Sequence, residues 1–180
     1  MPKPDPQQKS SQDSFMGLHT IRRDGDPYMT RAWIGRLRLH VFYRGDADED
    51  CHDHPWDFWT FPLTSYVEET LVEVRQAYMA QNVPPPPLFF RTTDVVKRFR
   101  LHFRLAEHKH RVLGAHDEHA QYAALEGLIG PRVRPGKIVT IVWRGATRRK
   151  WGFWKNCQRR WCWQFWKDYV AEGGKDAPCE

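Results

Sequence analysis

The chain has 180 residues, a length that fits one domain. Hydrophobic residues make up 41% of it and nine residues are tryptophan, so a disordered or fibrous protein is excluded. The net charge of +6 is unevenly spread, because residues 127–167 contain eleven Lys or Arg and no Asp or Glu. No run of about 18 apolar residues occurs, so no transmembrane helix is predicted.

The two ends of the chain are polar. Residues 1–14 are rich in Pro, Gln and Ser and lack the apolar segment of a secretory signal. We predict a disordered leader at 1–14, a single domain at 15–170 and a flexible tail at 171–180. Without a targeting signal the expected location is cytoplasmic, and the four cysteines, which form no CxxC pair, are predicted to be free thiols.

Short alternating segments recur along the predicted domain. Within 34–43, for example, apolar side chains alternate with polar ones such as Arg38 and His40. Strands are predicted at 34–43, 58–61, 66–74, 95–105, 137–142 and 151–154, and helices at 117–128 and 161–170. Four consecutive prolines within 81–87 predict an irregular connection. Many short strands and little helix predict an all-β barrel or sandwich.

The sequence CHDHPWDF at 51–58 carries the clearest chemical signal. Residues two apart in an extended chain point to the same side, so His52 and His54 present their imidazoles together, at a spacing suited to one metal ion. Imidazole is a common ligand of zinc, iron, copper and nickel. Another strand must supply a further ligand, and His108 and His110 are both placed for that. Alternation puts these two on one face and does not choose between them.

A simpler alternative is that His52 and His54 only line a barrel without holding a metal. Pro55 and Trp56 would then form a turn and a core contact, and Asp57 would cap the turn. Nothing in the residues themselves excludes this alternative.

Longer strings resemble a known family. HDHPWDFWTF at 52–61, HRVL at 110–113, TIVWRG at 140–145 and WGFW at 151–154 resemble small cupin-like proteins of phage and bacterial genomes, within the cupin superfamily. The resemblance covers roughly residues 28–166. It implies an all-β, cupin-type double-stranded β-helix, a jelly-roll barrel with a metal in its mouth, a short helical insert and a C-terminal helix. It also implies that His110, which precedes Arg-Val-Leu, is the second-motif ligand.

The sequence departs from the cupin pattern at the carboxylate ligand. Cupins usually place a Glu shortly after the second histidine of the first motif, where this chain has Phe58 and Trp59. The nearest carboxylates are Asp57, slightly early, and Glu68 or Glu69, much later. The predicted ligands of one divalent ion (Fe, Mn, Ni or Zn) are therefore His52, His54, His110 and Asp57.

Two classes of function compete on these observations. The first is a metal-dependent oxidoreductase of the dioxygenase type that acts on a small anionic or nucleotide-like molecule. Asp57 would then be a ligand or a catalytic base, and the predicted substrate-binding residues are Arg98, Arg100, His102 and Trp56. A metal-free isomerase or epimerase is a second enzymatic branch. The other class is a non-catalytic binding module or a phage accessory protein.

The basic segment 127–167 bears on the second class. Its cations are interleaved with aromatic rings, a pattern suited to single-stranded nucleic acid or another polyanion, because cations neutralise phosphate and rings stack on bases. The alternative is that Trp151, Phe153 and Trp154 pack in the closing seam of the barrel and that 148–150 form a solvated turn. Edge-strand pairing in cupins implies, by resemblance only, a homodimer.

Overall fold

β-Strands make up most of the described chain. The structure is a computed structural model, and it describes residues 14–23, 25–74, 87–119, 129–157 and 160–174. The strands are β1 (Met16–Arg23), β2 (Asp26–Ile34), β3 (Leu37–Phe42), β4 (Cys51–His52), β5 (Phe58–Pro62), β6 (Tyr66–Val74), β7 (Leu88–Val96), β8 (His102–Arg104), β9 (His110–His116), β10 (Val133–Arg134), β11 (Ile138–Arg144), β12 (Gly152–Cys157) and β13 (Arg160–Phe165). One helix, α1, spans Trp166–Ala171.

The strands form two antiparallel sheets. The first sheet has the order β1-β2-β3-β11-β5-β8, and the second has the order β13-β12-β4-β9-β6-β7, with β10 paired to β9. Strands distant in sequence are therefore neighbours, as when β11 lies between β3 and β5, and such crossovers are typical of jelly rolls. The predicted all-β fold of cupin type, with a C-terminal helix, is confirmed.

Local sequence explains how the first sheet begins. The turn between β2 and β3 places Gly35 at a φ of 55°, a left-handed conformation that glycine adopts without a steric penalty. The hairpin pairs Ile34 with Leu37 and continues to Met29 opposite Phe42. The predicted strand at 34–43 is therefore interrupted by this turn and begins at Leu37.

The interior face of the first sheet is unusually polar. On β3, Arg38 is only 7% exposed, whereas Leu37 and Leu39 are 40% and 41% exposed. Strand pairing aligns one apolar row across the outer face of all six strands: Met16, Ile34, Leu37, Trp143, Trp59 and Phe103. These six side chains are between 40% and 63% exposed. The sheet thus turns polar side chains inward and apolar ones outward.

Two apolar clusters support the barrel, and the first of them joins the two sheets. One joins Tyr66, Val96, Val112, Ala115 and Ile138, with Phe42 packed against it. The other joins Cys51, Leu71, Phe89 and Trp161, with Trp154 beside it. Burying a large apolar side chain contributes about 1.5–3 kcal/mol, so these clusters are the main support of the barrel. Cys51 directly precedes the histidine pair, so the second cluster also anchors that segment.

Several predicted elements need correction. The predicted helix at 161–170 begins as strand β13, because Trp161 and Trp163 pair with β12, and it becomes helical only at Trp166. The predicted strand at 95–105 is broken after Val96 by a turn in which Phe99 has a φ of 58°. Cys162 is disulfide-bonded, so its prediction as a free thiol is wrong, whereas Cys51 and Cys157 are free.

Other predictions fall on residues that the structure does not describe. These are the leader up to residue 13, most of the proline-rich connection, residues 120–128 of the helix predicted at 117–128, and the tail after residue 174. No helix within the described residues is long and apolar enough to span a membrane.

Candidate metal centre

Three histidines converge on the interior side of the second sheet. His52 lies at the end of β4, His54 follows it, and His110 begins β9. β4 and β9 pair with His52 opposite His110, which brings together residues far apart in sequence. One ring nitrogen from each histidine lies within 4.8 Å of the other two, and His54 Nε2 is 2.8 Å from His110 Nε2. The three histidines predicted from the sequence are thus neighbours.

The protonation state of the cluster suits metal binding. Burial, reinforced by the neighbouring His110, lowers the pKa of His52 to about 4. Burial also lowers the pKa of His54 well below its usual value, with His110 and His52 as smaller causes. Both imidazoles are therefore neutral at pH 7, the state in which a ring nitrogen offers its lone pair to a cation.

Glu68, on β6, supports the cluster from behind. It is 1% exposed, and its Oε1 lies 2.5 Å from both His110 Nδ1 and His108 Nε2. Arg104 donates a hydrogen bond to Oε2 at 3.2 Å. Burial raises the pKa of Glu68, but His110 and the hydrogen bonds from both histidines outweigh it and hold the pKa well below its usual range. An ionised carboxylate at Nδ1 makes that nitrogen the donor and leaves Nε2 of His110 free as a ligand.

This arrangement distinguishes two histidines that strand alternation left equivalent. His110 lies with His52 and His54, and it also lies with Glu68 and His108 in a second group of donor atoms within 4.8 Å. His108 contacts the carboxylate of Glu68 and is not a member of the three-histidine group. His110 is thus the member that the two groups share.

Asp57 lies outside both groups. Its Oδ1 accepts hydrogen bonds from Arg148 Nη2 at 2.6 Å and from the Ala106 amide at 2.7 Å. The Arg148 bond, followed by the Ala106 bond, lowers the pKa of this carboxyl group. Asp57 was predicted as a ligand or base, but it is not among the groups of donor atoms that contain the histidines. Its carboxylate instead binds Arg148 and the backbone of Ala106.

Aromatic rings wall the histidine cluster. Phe58 stands where cupins usually carry the ligand Glu, and its ring centroid is 4.7 Å from that of His54. Trp56 stacks on His54 at 5.1 Å with an interplanar angle of 20°, and its ring also meets Phe58 at 5.4 Å. Phe153 lies 5.8 Å from His52. A predicted substrate residue, Trp56, thus adjoins the cluster.

Asp53, between the two histidines of the motif, fixes the position of the segment 52–54 through hydrogen bonds. It is fully buried, and its Oδ1 accepts the Gly152 amide at 2.8 Å. Its Oδ2 accepts hydrogen bonds from Arg149 at 2.8 Å and from the Trp163 indole at 2.9 Å. The motif is therefore tied to β12 and β13 through the residue that faces away from the site. The position of Asp53 in the HDH string was the available signal for this role.

The remaining predicted substrate residues lie elsewhere. Arg98 forms an ion pair with Glu118 at 3.1 Å, and Arg100 is exposed. His102 Nε2 is 3.2 Å from the Lys97 carbonyl oxygen. Within the described residues, no recorded contact joins any of these three side chains to the histidine cluster.

Much of the basic segment 127–167 is occupied by internal contacts. Arg148 pairs with Asp57 and with Glu107, the latter at 2.8 Å. Lys155 is 2% exposed and donates to the Gly174 carbonyl at 3.1 Å. Charges that are paired or buried contribute little to a polyanion surface, so these contacts give the predicted nucleic-acid partner no support.

No family model matches this chain, and no curated protein matches its sequence. Among solved structures, a crystal structure of Fe(II) HppE is 9% identical with a TM-score of 0.44, covering 72% of this chain and 56% of that one. Hydroxypropylphosphonic acid epoxidase from S. wedmorenis is 7% identical with a TM-score of 0.41, covering 76% and 58%. DMSP lyase DddQ from Ruegeria pomeroyi DSS-3 is 14% identical with a TM-score of 0.33, covering 79% and 57%. The chain spans somewhat more than half the length of these proteins.

The structure itself defines the class of the protein. It is a two-sheet β-barrel of cupin type whose interior holds three neighbouring histidines, one of which contacts a buried carboxylate whose pKa is held low. Such a group could hold a divalent metal ion.

Proposed function

We propose that this protein is a metal-dependent oxidoreductase of the dioxygenase type that acts on a small anionic molecule. The proposed ligands of one divalent ion, Fe, Mn, Ni or Zn, are His52, His54 and His110. The observation that carries the proposal is the mutual approach of three ring nitrogens within 4.8 Å, in a setting where burial lowers the pKa of His52 and His54.

The donor set fits such an ion. Three imidazoles are sufficient to chelate a divalent first-row metal and leave open positions, unlike a closed structural zinc site. Fe, Mn or Ni with open positions would supply the electron transfer that oxygenation of an organic molecule requires, whereas Zn, which has no redox chemistry, would not. Among the described residues, the three-histidine group includes no carboxylate, so the ligands themselves would not neutralise the charge of the ion, which favours an anionic substrate.

The surrounding residues have separate roles in this proposal. Glu68 holds the Nδ1–H of His110 and so orients its Nε2 towards the cluster. Trp56 and Phe58 exclude water from one side of the site. His108, whose ring lies 5.0 Å from that of His110 and whose Nε2 lies 2.5 Å from Glu68 Oε1, is placed to hold a proton during turnover.

Metal analysis of single variants tests the ligand assignment. Wild type purified from metal-supplemented cells should contain close to one divalent ion per chain. His54→Ala and His110→Ala should each weaken metal binding at least tenfold, because a chelate loses one of three ligands. His119→Ala, whose side chain is 76% exposed, is the matched control and should bind as wild type does. A wild type that takes up no divalent ion, or a His110→Ala variant with full metal content, would contradict the proposal.

A metal-free isomerase or epimerase is the second candidate. It is favoured by the His108–Glu68 pair, since a histidine at 2.5 Å from a buried carboxylate can serve as an acid–base group. Turnover that survives complete chelation of metal and is lost in His108→Gln would support this second candidate over the first.

A further inference from the structure

Three arginines share the interior face of the first sheet. Arg31 on β2 lies between Met29 and Trp33 in the alternation, and both of those neighbours are buried, 8% and 6% exposed. Arg38 on β3 pairs with Trp33 and with Val142. Two residues beyond Val142, at the end of β11, Arg144 faces the same way. Strand pairing thus gathers three guanidinium groups on one inner surface.

These arginines have unusual surroundings. The Nε atoms of Arg31, Arg38 and Arg144 are all buried without a hydrogen-bond partner, and so is Nε2 of His40, which is opposite Arg31 in the β2–β3 ladder. None of the three guanidinium groups has an ion-pair partner among the described residues. Buried charged groups in proteins are normally paired, so this set lacks an anion.

The charges that act on Arg38 and His40 are all positive, whereas Arg31 also lies near the phenol of Tyr28. Burial, and after it Arg144 and Arg31, lowers the pKa of Arg38 to about 10, so Arg38 remains charged at pH 7. Burial, and after it Arg31 and Arg38, lowers the pKa of His40 to about 3, so His40 is neutral. The surface therefore offers three cations and one neutral imidazole, with no acidic side chain among the causes of these shifts.

The arginines adjoin the histidine cluster. Arg144 is directly opposite Phe58 in the β11–β5 ladder, so their side chains are neighbours on one face. The Phe58 ring in turn lies 4.7 Å from the ring of His54. The side chain of Phe58 therefore lies between Arg144 and His54, which is a proposed metal ligand.

We propose that Arg31, Arg38 and Arg144 bind the oxyanion of a small ligand, a carboxylate or a phosphate-type group, inside the barrel. Guanidinium groups present parallel N–H donors that match the oxygens of both kinds of anion. The Nε atoms are buried, which restricts the site to a small molecule rather than a nucleic-acid strand. That this anion is the acidic group of the substrate rests on the proposed function, whereas the anion site itself needs no metal.

Binding to metal-free protein tests the site directly. Inorganic phosphate and malonate are titrated separately into chelator-treated protein by calorimetry, and the stronger of the two identifies phosphate-type or carboxylate chemistry. At least one should bind wild type, and Arg38→Gln or Arg144→Gln should weaken it by roughly ten- to hundredfold, as expected for loss of a charged hydrogen-bond donor. Arg36→Gln removes an exposed arginine from the adjacent turn and is the matched control.

Further variants guard against a trivial result. Arg38→Lys keeps the charge but not the paired donors, so it should bind the anion more weakly than wild type and more strongly than Arg38→Gln. Thermal unfolding of each variant verifies that it is folded. If neither anion binds folded wild type, or if Arg36→Gln loses as much affinity as Arg38→Gln, the inference is wrong.

The outcome is separable from that of the metal proposal. His110→Ala should lose metal while its metal-free form binds the anion within about twofold of wild type, because its ring is not among the arginine contacts. If wild type takes up no metal when metal is supplied but still binds the anion, only the metal proposal is overturned. A metal-loaded wild type that binds neither anion would overturn the arginine site alone.

Discussion

The inner faces of the two sheets each carry a cluster of polar side chains. The two clusters differ in whether their buried charges have partners within the protein. On the second sheet, His52 and His54 are neutral, and Glu68 accepts hydrogen bonds from two further histidines and from Arg104. On the first sheet, three arginines remain charged and have no acidic partner among the described residues. In the histidine cluster the buried charge has partners within the protein, and only ring lone pairs stay open. In the arginine cluster the buried charges have no partner within the described part of the chain unless an anion binds. The comparison therefore predicts opposite responses to removing one member of each cluster.

Removing Glu68 should have the largest effect. Glu68→Ala leaves Arg104, the buried His110 and the partly buried His108 without their shared acceptor, and breaking a buried ionic network in this way costs about 3–5 kcal/mol. Urea denaturation of metal-free protein measures the loss. Glu73→Ala, at an exposed position on the same strand, should change the free energy of unfolding by no more than about 0.5 kcal/mol. Equal stability of Glu68→Ala and wild type would show that the carboxylate does not organise the cluster.

The sequence predicted the parts of this site that depend on residues close together in the chain. It did not predict the part that depends on how distant strands pair. The i, i+2 spacing was sufficient to place His52 beside His54, and the resemblance supplied His110. The role of Glu68 depends on the pairing of β6 with β9, where the register shifts between Val67 and Glu68. No local pattern encodes that shift, so Asp57, close in sequence, was predicted as the carboxylate instead.

The same contrast between local pattern and long-range strand pairing applies to the fold. Alternation predicted many of the strands and the all-β class, because side-chain period is a local property. It did not show which face of β3 is interior, and the usual expectation places Leu37 and Leu39 inside. Here those two are about 40% exposed and Arg38 is buried, an arrangement set by pairing across all six strands. The arginine group, drawn from three strands, was hidden for the same reason.

Removing one arginine should have the opposite sign to removing Glu68. Replacing Arg38 with methionine takes away one of three unpaired cations while keeping much of its volume, and such replacements stabilise proteins by about 1–4 kcal/mol. Loss of its contact with the Trp33 ring, 5.8 Å away, offsets about 0.5–1 kcal/mol of this. We therefore expect Arg38→Met to raise the free energy of unfolding by about 1 kcal/mol or more in buffer without phosphate or carboxylate.

Arg36→Met, in the exposed turn, controls for the change in net charge and should alter stability little. Adding the anion that binds wild type should reverse the order, because only wild type gains stability from it. An Arg38→Met protein that is less stable than wild type even without anion would mean that Arg38 has a structural partner, and the contrast between the two clusters would fail.

The smallest expected effect concerns pH and His40. Its pKa in the folded protein is about 3, against an ordinary value near 6.5, because it is buried beside Arg31 and Arg38. Between those two values the unfolded chain binds a proton that the folded protein does not, so stability present above pH 6.5 is lost as the pH falls below it. At pH 5.5 this linkage costs wild type about 1 kcal/mol, and His40→Gln should not show that cost.

The measurement is the difference in free energy of unfolding between pH 7.5 and pH 5.5, in metal-free protein and in buffer without the binding anion. His52, His54 and His108 also have lowered pKa values, but they are present in both proteins and cancel in the comparison. His119→Gln, at an exposed position, should follow wild type. Identical pH dependence in wild type and His40→Gln would show that His40 is charged in the folded state. It would then have an acidic or solvent partner, and the arginine face would already be compensated without a bound anion.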